Sequence, residues 1–469
     1  MQKFVSKYAL AAHLGVLTVA PLLLFPFFDQ TTIGVAWLWL SLYVAAWIVM
    51  EPSRIGMEYP HEARARVVRS IVRDPFVWFM VFVVMWAAVR AFNGGVGMWY
   101  DAEIRRWSFK SATVDWLPGG VDGSGFFPFC AAVAMTVVAT GIRNALGKAA
   151  RYAFLCTVCA LAGFAGHVLA VEFLCGDKTV SRIAQCSLQS PFYIGPAFGV
   201  ALLCGIAGLF GAAEKRWTRT EFIVAAGLAG AMCGMLMFST LVATLAFLVA
   251  ALVMITVGYF LNRNVFEGAA SLRCGVFFIA MTVFGGLFVA SADAGSGVAD
   301  RLEAAQKLEL LSPEYVVARP PLSRIAFAAF KDNLWLGTGL GSYPVDVRFR
   351  AEASDYNSIM PGQAGALNGY LHLVAERGVL GAGICFVALG FLVWGFVSRL
   401  MSSFGKFEFR AAHILFPVVF VVAAALMFVE CSWLKSDAMA VLLGALAVSA
   451  AAIPANRRDT KAGGETQNG

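Results

Sequence analysis

Apolar runs of membrane-spanning length recur along this chain, and no other feature restricts its fold so severely. A helix crossing about 30 Å of hydrocarbon needs roughly 20 apolar residues. Twelve such runs centre on residues 9–28, 31–50, 75–92, 126–146, 152–174, 194–213, 222–238, 240–260, 275–292, 378–398, 412–430 and 437–453. Hydrophobic residues make up 59% of the 469 and charged ones only 14%, a balance that excludes an ordinary soluble globular domain. A membrane strand barrel is excluded too, because the runs are about twice strand length and lack period-two alternation. The expected fold class is an all-α polytopic membrane protein with about 12 transmembrane helices.

Loop charges orient this bundle. With the N-terminus inside, alternate loops carry Lys3 and Lys7, then Arg54, Arg64, Arg66, Arg69 and Arg73, then Arg143, Lys148 and Arg151. Lys215, Arg216 and Arg219 continue the series, followed by Arg263 and Arg273, Arg399, Lys406 and Arg410, and Arg457, Arg458 and Lys461. The positive-inside rule then places both termini in the cytoplasm and the one long polar interruption, residues 291–377, outside. The expected organisation is nine spans in 1–290, the external loop at 291–377 with short amphipathic helices, three spans in 378–453 and a disordered cytoplasmic tail at 454–469. The first run ends at Phe25-Pro26-Phe27-Phe28-Asp29 with no small-residue cleavage site and is read as a retained span. The net charge of +7 is mostly cytoplasmic surplus facing anionic headgroups, so membrane lipid is the expected partner and nucleic acid is not.

The cysteines mostly fall inside spans, where a buried free thiol is the expected state; the CxxC of Cys156 and Cys159 is therefore not read as a redox or zinc motif. Cys175 and Cys186 share an external loop, and in an oxidising compartment a disulfide or two thiols are both open. The loop from Asn93 to Ser124 holds Trp99, Tyr100, Trp107 and Trp116 beside Arg105, Arg106 and Lys110. It is expected to form an interfacial helix in the aromatic belt, with a lipid or sugar platform as the sharper reading. Among residues inside spans, His167, Glu172 and Arg90 stand near external ends, where Arg90 and Glu172 could pair.

Within residues 291–377, Val298 to Leu311 has helical character. Pro320-Pro321 breaks the chain, and Ser323 is placed to cap a short amphipathic helix running to Phe330. Gly337, Gly339 and Gly341 mark a tight turn where backbone approaches membrane or substrate, since no βαβ unit surrounds them. Arg319, Arg324, Arg348 and Arg350 form an anion-binding inventory, because guanidinium clamps phosphate oxygens through parallel charge-assisted hydrogen bonds. The same arginines could equally meet lipid headgroups. Asn368, His372 and Glu376 are spaced four apart, so on a helix they share one face. His372 could exchange a proton near neutral pH with Glu376 orienting it or acting as the base. The plainer alternatives are a buried structural histidine, and a Glu376 paired with Arg377 or Arg348.

The stretch Arg324-Ile-Ala-Phe-Ala-Ala-Phe-Lys-Asp-Asn-Leu-Trp-Leu-Gly-Thr-Gly-Leu-Gly-Ser-Tyr, followed by Leu367-Asn368, nine residues and Gly378-Val-Leu-Gly381, resembles the superfamily of O-antigen ligases and Wzy-type polysaccharide polymerases. In that family an arginine opens a short helix, a "PxxGxGxGxF"-like turn follows, and "HN-x9-GxxG" ends a large periplasmic loop between spans nine and ten. The resemblance implies a metal-independent, inverting membrane glycosyltransferase in the bacterial inner membrane that needs no cofactor. Its substrates would be an undecaprenyl-pyrophosphate-linked glycan donor and a glycan acceptor at the periplasmic face, with polysaccharide export or chain-length proteins as candidate partners. Carried over by position, Arg324 would face phosphate, Asn368 would be the motif amide, Glu376 the acid before the glycines, and Gly378 and Gly381 the turn glycines. Two positions depart. Leu367 stands where the family has histidine, and the external turn between spans seven and eight reads Phe238-Ser239-Thr240-Leu241 where the family tends to place arginine after serine. His372 would then handle the proton, or positioning alone would activate the acceptor, or the protein would be a binding or scaffold subunit. A polysaccharide or lipid-oligosaccharide transporter is the reading from another class, although the two halves show no matched broken helices.

Overall fold

A computed structural model describes residues 2–24, 35–46 in part, 69–73 in part, 75–92, 96–101, 106–111, 148–175, 194–212, 219–239, 241–262, 313–339, 343–352, 355, 365–402 and 411–429. The elements are helices α1 (Gln2–Leu24) and α2 (Pro75–Phe92), strands β1 (Val96–Asp101) and β2 (Arg106–Ser111), and helices α3 (Lys148–Cys175), α4 (Gly195–Ala212), α5 (Arg219–Phe238) and α6 (Leu241–Asn262). Helices α7 (Pro313–Asp332), α8 (Tyr343–Arg350), α9 (Gly369–Ser402) and α10 (Ala411–Leu426) follow. Most of the apolar runs thus become helices where hydropathy places them. The runs at 126–146, 275–292 and 437–453, the stretch Val298 to Leu311 and the tail at 454–469 lie outside the described residues, as does Cys186. The side chains of Arg90 and Glu172 are likewise not described. Among the described residues, the stretch Gly369–Ser398 is long and apolar enough by itself to cross a membrane, and shorter apolar helices cover Ala153–Leu169, Gly195–Leu209, Ile223–Leu236, Val242–Val257 and Ile414–Leu426.

Two expectations are corrected. The described parts of the loop from Asn93 do not form an interfacial helix: β1 and β2 pair as an antiparallel hairpin in the register Val96↔Ser111 to Asp101↔Arg106, beside described elements that are otherwise helical. Both strands are rich in aromatic residues, which fit a pleated surface better than a helix. Helix α7 starts at Pro313 and runs through Pro320 and Pro321, so Ser323 lies inside it and does not cap it. Proline holds φ near the helical value and removes a donor, which weakens the turn without ending it. The apolar run centred on 378–398 continues a helix that begins at Gly369 and is broken at Gly378.

Helix α3 is the centre of the bundle, packed against α1, α4 and α5. Glycines permit its approach to α5, because a Cβ at Gly163 or Gly166 would fall on the backbone of Gly227 or Gly230. Without a hydrophobic drive between helices in lipid, such small-residue contacts supply the dispersion energy of association. Helix α10 packs on α4 and α6, and α2 on α9. A second, smaller core lies at the start of α9. Leu322, Ile325, Ala326 and Ala329 of α7 bury one helical stripe against Tyr343 and Val347 of α8 and against Ala366 and Ala375. Their spacing of i, i+3, i+4 and i+7 is why this polar region holds a helix at all.

Candidate active site

Asn368 creates the local frame. Its carbonyl accepts the His372 amide at 2.9 Å, and its side-chain Oδ1 accepts the Leu371 amide at 3.0 Å, so it caps α9 in the manner that asparagine favours. The Gly369 amide donates to the Met427 carbonyl at 2.7 Å and the Tyr370 hydroxyl to the Ala424 carbonyl at 2.9 Å. The first turn of α9 is thereby fixed to the end of α10.

On that turn the expected face forms. His372 Nε2 and Glu376 Oε1 are 3.3 Å apart, with side chains only 5% and 6% exposed. The Tyr343 backbone amide donates to the same Glu376 oxygen at 3.3 Å. The Tyr343 ring meets the His372 ring edge-on at a centroid distance of 5.1 Å, and its hydroxyl donates to the Leu322 carbonyl at 2.5 Å. Glu376 therefore meets His372, as the four-residue spacing suggested, and Arg377 Nη1 reaches Cys385 Sγ at 3.0 Å. A carboxylate facing Nε2 favours the tautomer with its proton there, making Nδ1 the basic nitrogen.

Two motifs far apart in sequence complete each other beside this pair. Gly378 has φ 64° and ψ −176°, so α9 stops being helical there. In an unbroken helix the carbonyls of Ala375 and Glu376 would take the amides of Val379 and Leu380. Instead they accept the Thr338 and Gly339 amides at 2.9 Å each, while Val379 and Leu380 donate to the Leu334 and Trp335 carbonyls at 2.8 and 3.2 Å. The glycine turn thus fills the break and leaves those backbone groups satisfied. Contact is so close that a Cβ on Gly337 would strike Glu376 and Gly378 backbone, and one on Gly378 would strike Gly337 and Trp335 backbone. The backbone that this turn approaches is α9 itself.

The arginines are engaged in carboxylate pairs. Arg324 projects from the outer side of α7, with Nη1 on Glu352 at 2.7 Å and Nη2 on Asp355. Arg350 Nη1 meets Asp332 at 2.5 Å and its Nε meets Asp346 at 3.3 Å. Burial opposes the Arg350 charge, but the bonds to Asp332 and Asp346 outweigh it and raise its pKa. Arg319 lies on α7 and Arg348 on α8, and their side chains are not described. Leu367, at the family's histidine position, has φ 50° and packs against the smaller core.

Sequence reasoning missed Asp346, Tyr343, Glu352 and Asp355. Burial pushes the Asp346 carboxyl above its ordinary range; bonds from Thr338 and Arg350 oppose this, and the nearby Glu376 charge adds repulsion. Its Oδ2 is buried without a hydrogen-bond partner among the described residues. The readable signal was the aromatic closing the glycine motif, since Tyr343 opens α8 and carries Asp346 one turn along. Among the described residues no group of three or more His, Cys, Asp or Glu side chains could hold a metal ion. The chain is not matched by any curated protein. Residues 227–386 match the family model described as O-Antigen ligase, a span that contains the later part of α5, all of α6, the glycine turn, Asn368, the His372–Glu376 pair and the break at Gly378. Over that stretch, about a third of the chain, the protein is similar to the O-antigen ligase family.

Proposed function

We propose that this protein polymerises or ligates undecaprenyl-pyrophosphate-linked oligosaccharides at the periplasmic face of the inner membrane. The observation that carries the reading is the buried His372–Glu376 pair, built on the capped and broken start of α9 inside the family-matched stretch. In the reaction an acceptor hydroxyl oxygen attacks the anomeric carbon of the donor from the face opposite the leaving group. The bond from that carbon to the pyrophosphate oxygen breaks, and its electron pair departs with the pyrophosphate. The hydroxyl proton passes to His372, whose imidazolium the Glu376 carboxylate stabilises. Arg324 supplies the positive charge for the leaving group after exchanging Glu352 and Asp355 for phosphate oxygens, a swap between equally charged partners on an exposed surface where ion pairs are worth about 0–1 kcal/mol. Holding both glycans at the membrane surface supplies the proximity contribution. Because the pair is covered by Tyr343, acceptor entry requires α8 to swing from α9.

The test is turnover of lipid-linked repeat units by the purified protein, with product length resolved on a gel. His372→Ala and Glu376→Gln should each lower the rate by about 10²–10⁴, the usual contribution of a positioned base, and Arg324→Ala should also shorten or abolish product. Undiminished polymer in all three variants rejects the site. Leu367 favours a second reading, a scaffold subunit that binds the glycan lipid without turnover. Elongation by the protein alone excludes it.

A further inference from the structure

We propose that the knuckle Leu334-Trp335-Leu336, together with Phe327 on α7, is a bilayer anchor that sits at the boundary between headgroups and acyl chains. All four side chains face outward: Trp335 is 62% exposed, Phe327 50%, Leu336 44% and Leu334 41%. The position of the knuckle along the membrane normal follows from its backbone bonds to Val379 and Leu380. Those two residues open the uncharged run from Gly378 to Ser398, bracketed by Arg377 and Arg399, which at 1.5 Å per residue is about as long as the hydrocarbon layer is thick. The first turn of that run therefore lies at hydrocarbon's edge, and the knuckle lies beside it.

The exposed face of α9 continues from there. Val379, Leu380, Phe386, Val387, Phe391 and Trp394 recur at spacings of three, four and seven, one apolar stripe at helical period that lipid must cover. The knuckle prolongs this stripe at its outer end. Its chemistry suits that depth, because tryptophan pairs an apolar body with an N–H and is enriched where acyl chains give way to headgroups. Lys331 Nζ stands 5.5 Å from the centre of the Phe327 ring, an ammonium at the height where lipid phosphates lie. Charge and apolar surface are thus arranged for lipid rather than for another protein.

The anchor also has a mechanical connection. Thr338 and Gly339, immediately after the knuckle, hold the carbonyls of Ala375 and Glu376, so its immersion sets the height of the His372–Glu376 pair above the bilayer. That consequence rests on the proposed function; the lipid contact does not. The test places p-benzoylphenylalanine at position 335, and separately at 327, in the full-length protein in nanodiscs of phosphatidylethanolamine and phosphatidylglycerol. After irradiation, intact-mass spectrometry should find a single-phospholipid adduct at both positions and none for the probe at 352, where Glu352 is 65% exposed on the acidic surface. Crosslinks at 335 and 327 to a second copy or another part of the chain, or no adduct at either, overturn the proposal. Adducts with an inactive wild-type protein would sink the glycosyltransferase reading and leave the anchor standing.

Discussion

At the scale of single residues, Gly378 and Gly337 have the least freedom, because each combines positive φ with backbone contact across the break. Gly378→Ala is expected to cost about 1–3 kcal/mol from the strained backbone alone, and more from the clash, read as a drop in the unfolding midpoint in detergent. Gly383→Ala, on the same helix with open space around the added Cβ, should be neutral or stabilise by up to about 1 kcal/mol. Asn368→Ala should lose about 1 kcal/mol of helix capping, whereas Asn368→Asp keeps the cap. If Asn368→Asp folds normally but is inactive, its amide has a role in the reaction besides the cap. Asp346 makes the stability depend on pH with a definite sign. Its folded pKa is raised, so the folded state holds the proton more tightly, and stability falls as pH rises from the ordinary value of about 3.9 through the raised one. Glu376, His372 and Asp332 are ionisable neighbours, so the measurement is the difference between Asp346→Asn and wild type in a pH series of thermal melts. The variant should lack part of the decline; identical slopes would show that Asp346 contributes nothing.

At the scale of elements, the glycine turn and the broken helix are one structure drawn from two places in the chain. The "GxGxG" and "GxxG" signals were visible in sequence as separate turns, and their spacing gave no hint that each supplies the other's missing hydrogen-bond partners. Backbone groups carry no side-chain identity, so reciprocal amide–carbonyl exchange leaves only the glycines as its trace. The double variant Gly337→Ala/Gly378→Ala should be less destabilised than the sum of the singles, because both damage the same contact; strict additivity would argue that the two motifs are independent. Helix α7 teaches a related lesson. Pro320 and Pro321 suggested an end, but the apolar stripe from Leu322 to Ala329 buried against α8 and α9 outweighs two lost donors. In the hairpin, strand-forming aromatics were read as a membrane belt because the same residue types serve both environments.

At the scale of the whole molecule, the reading depends on α7, α8 and the start of α9 lying outside the cytoplasm. A cysteine placed at Glu352, exposed beside Arg324, should react with a membrane-impermeant maleimide in intact spheroplasts. Reaction only after lysis would place the site opposite the proposed donor and reject the assignment. Hydropathy alone determined the helical membrane architecture, because hydrocarbon demands about 20 apolar residues per crossing whatever the neighbours do. Spacing alone determined that Asn368, His372 and Glu376 share a face, because the helical period is local. Tertiary structure decided what else they touch. It set Tyr343 and Asp346 beside them, and occupied Arg324 with Glu352 and Asp355 and Arg350 with Asp332. Those residues stand well apart in sequence, and only chain packing, which sequence period does not encode, brings them together.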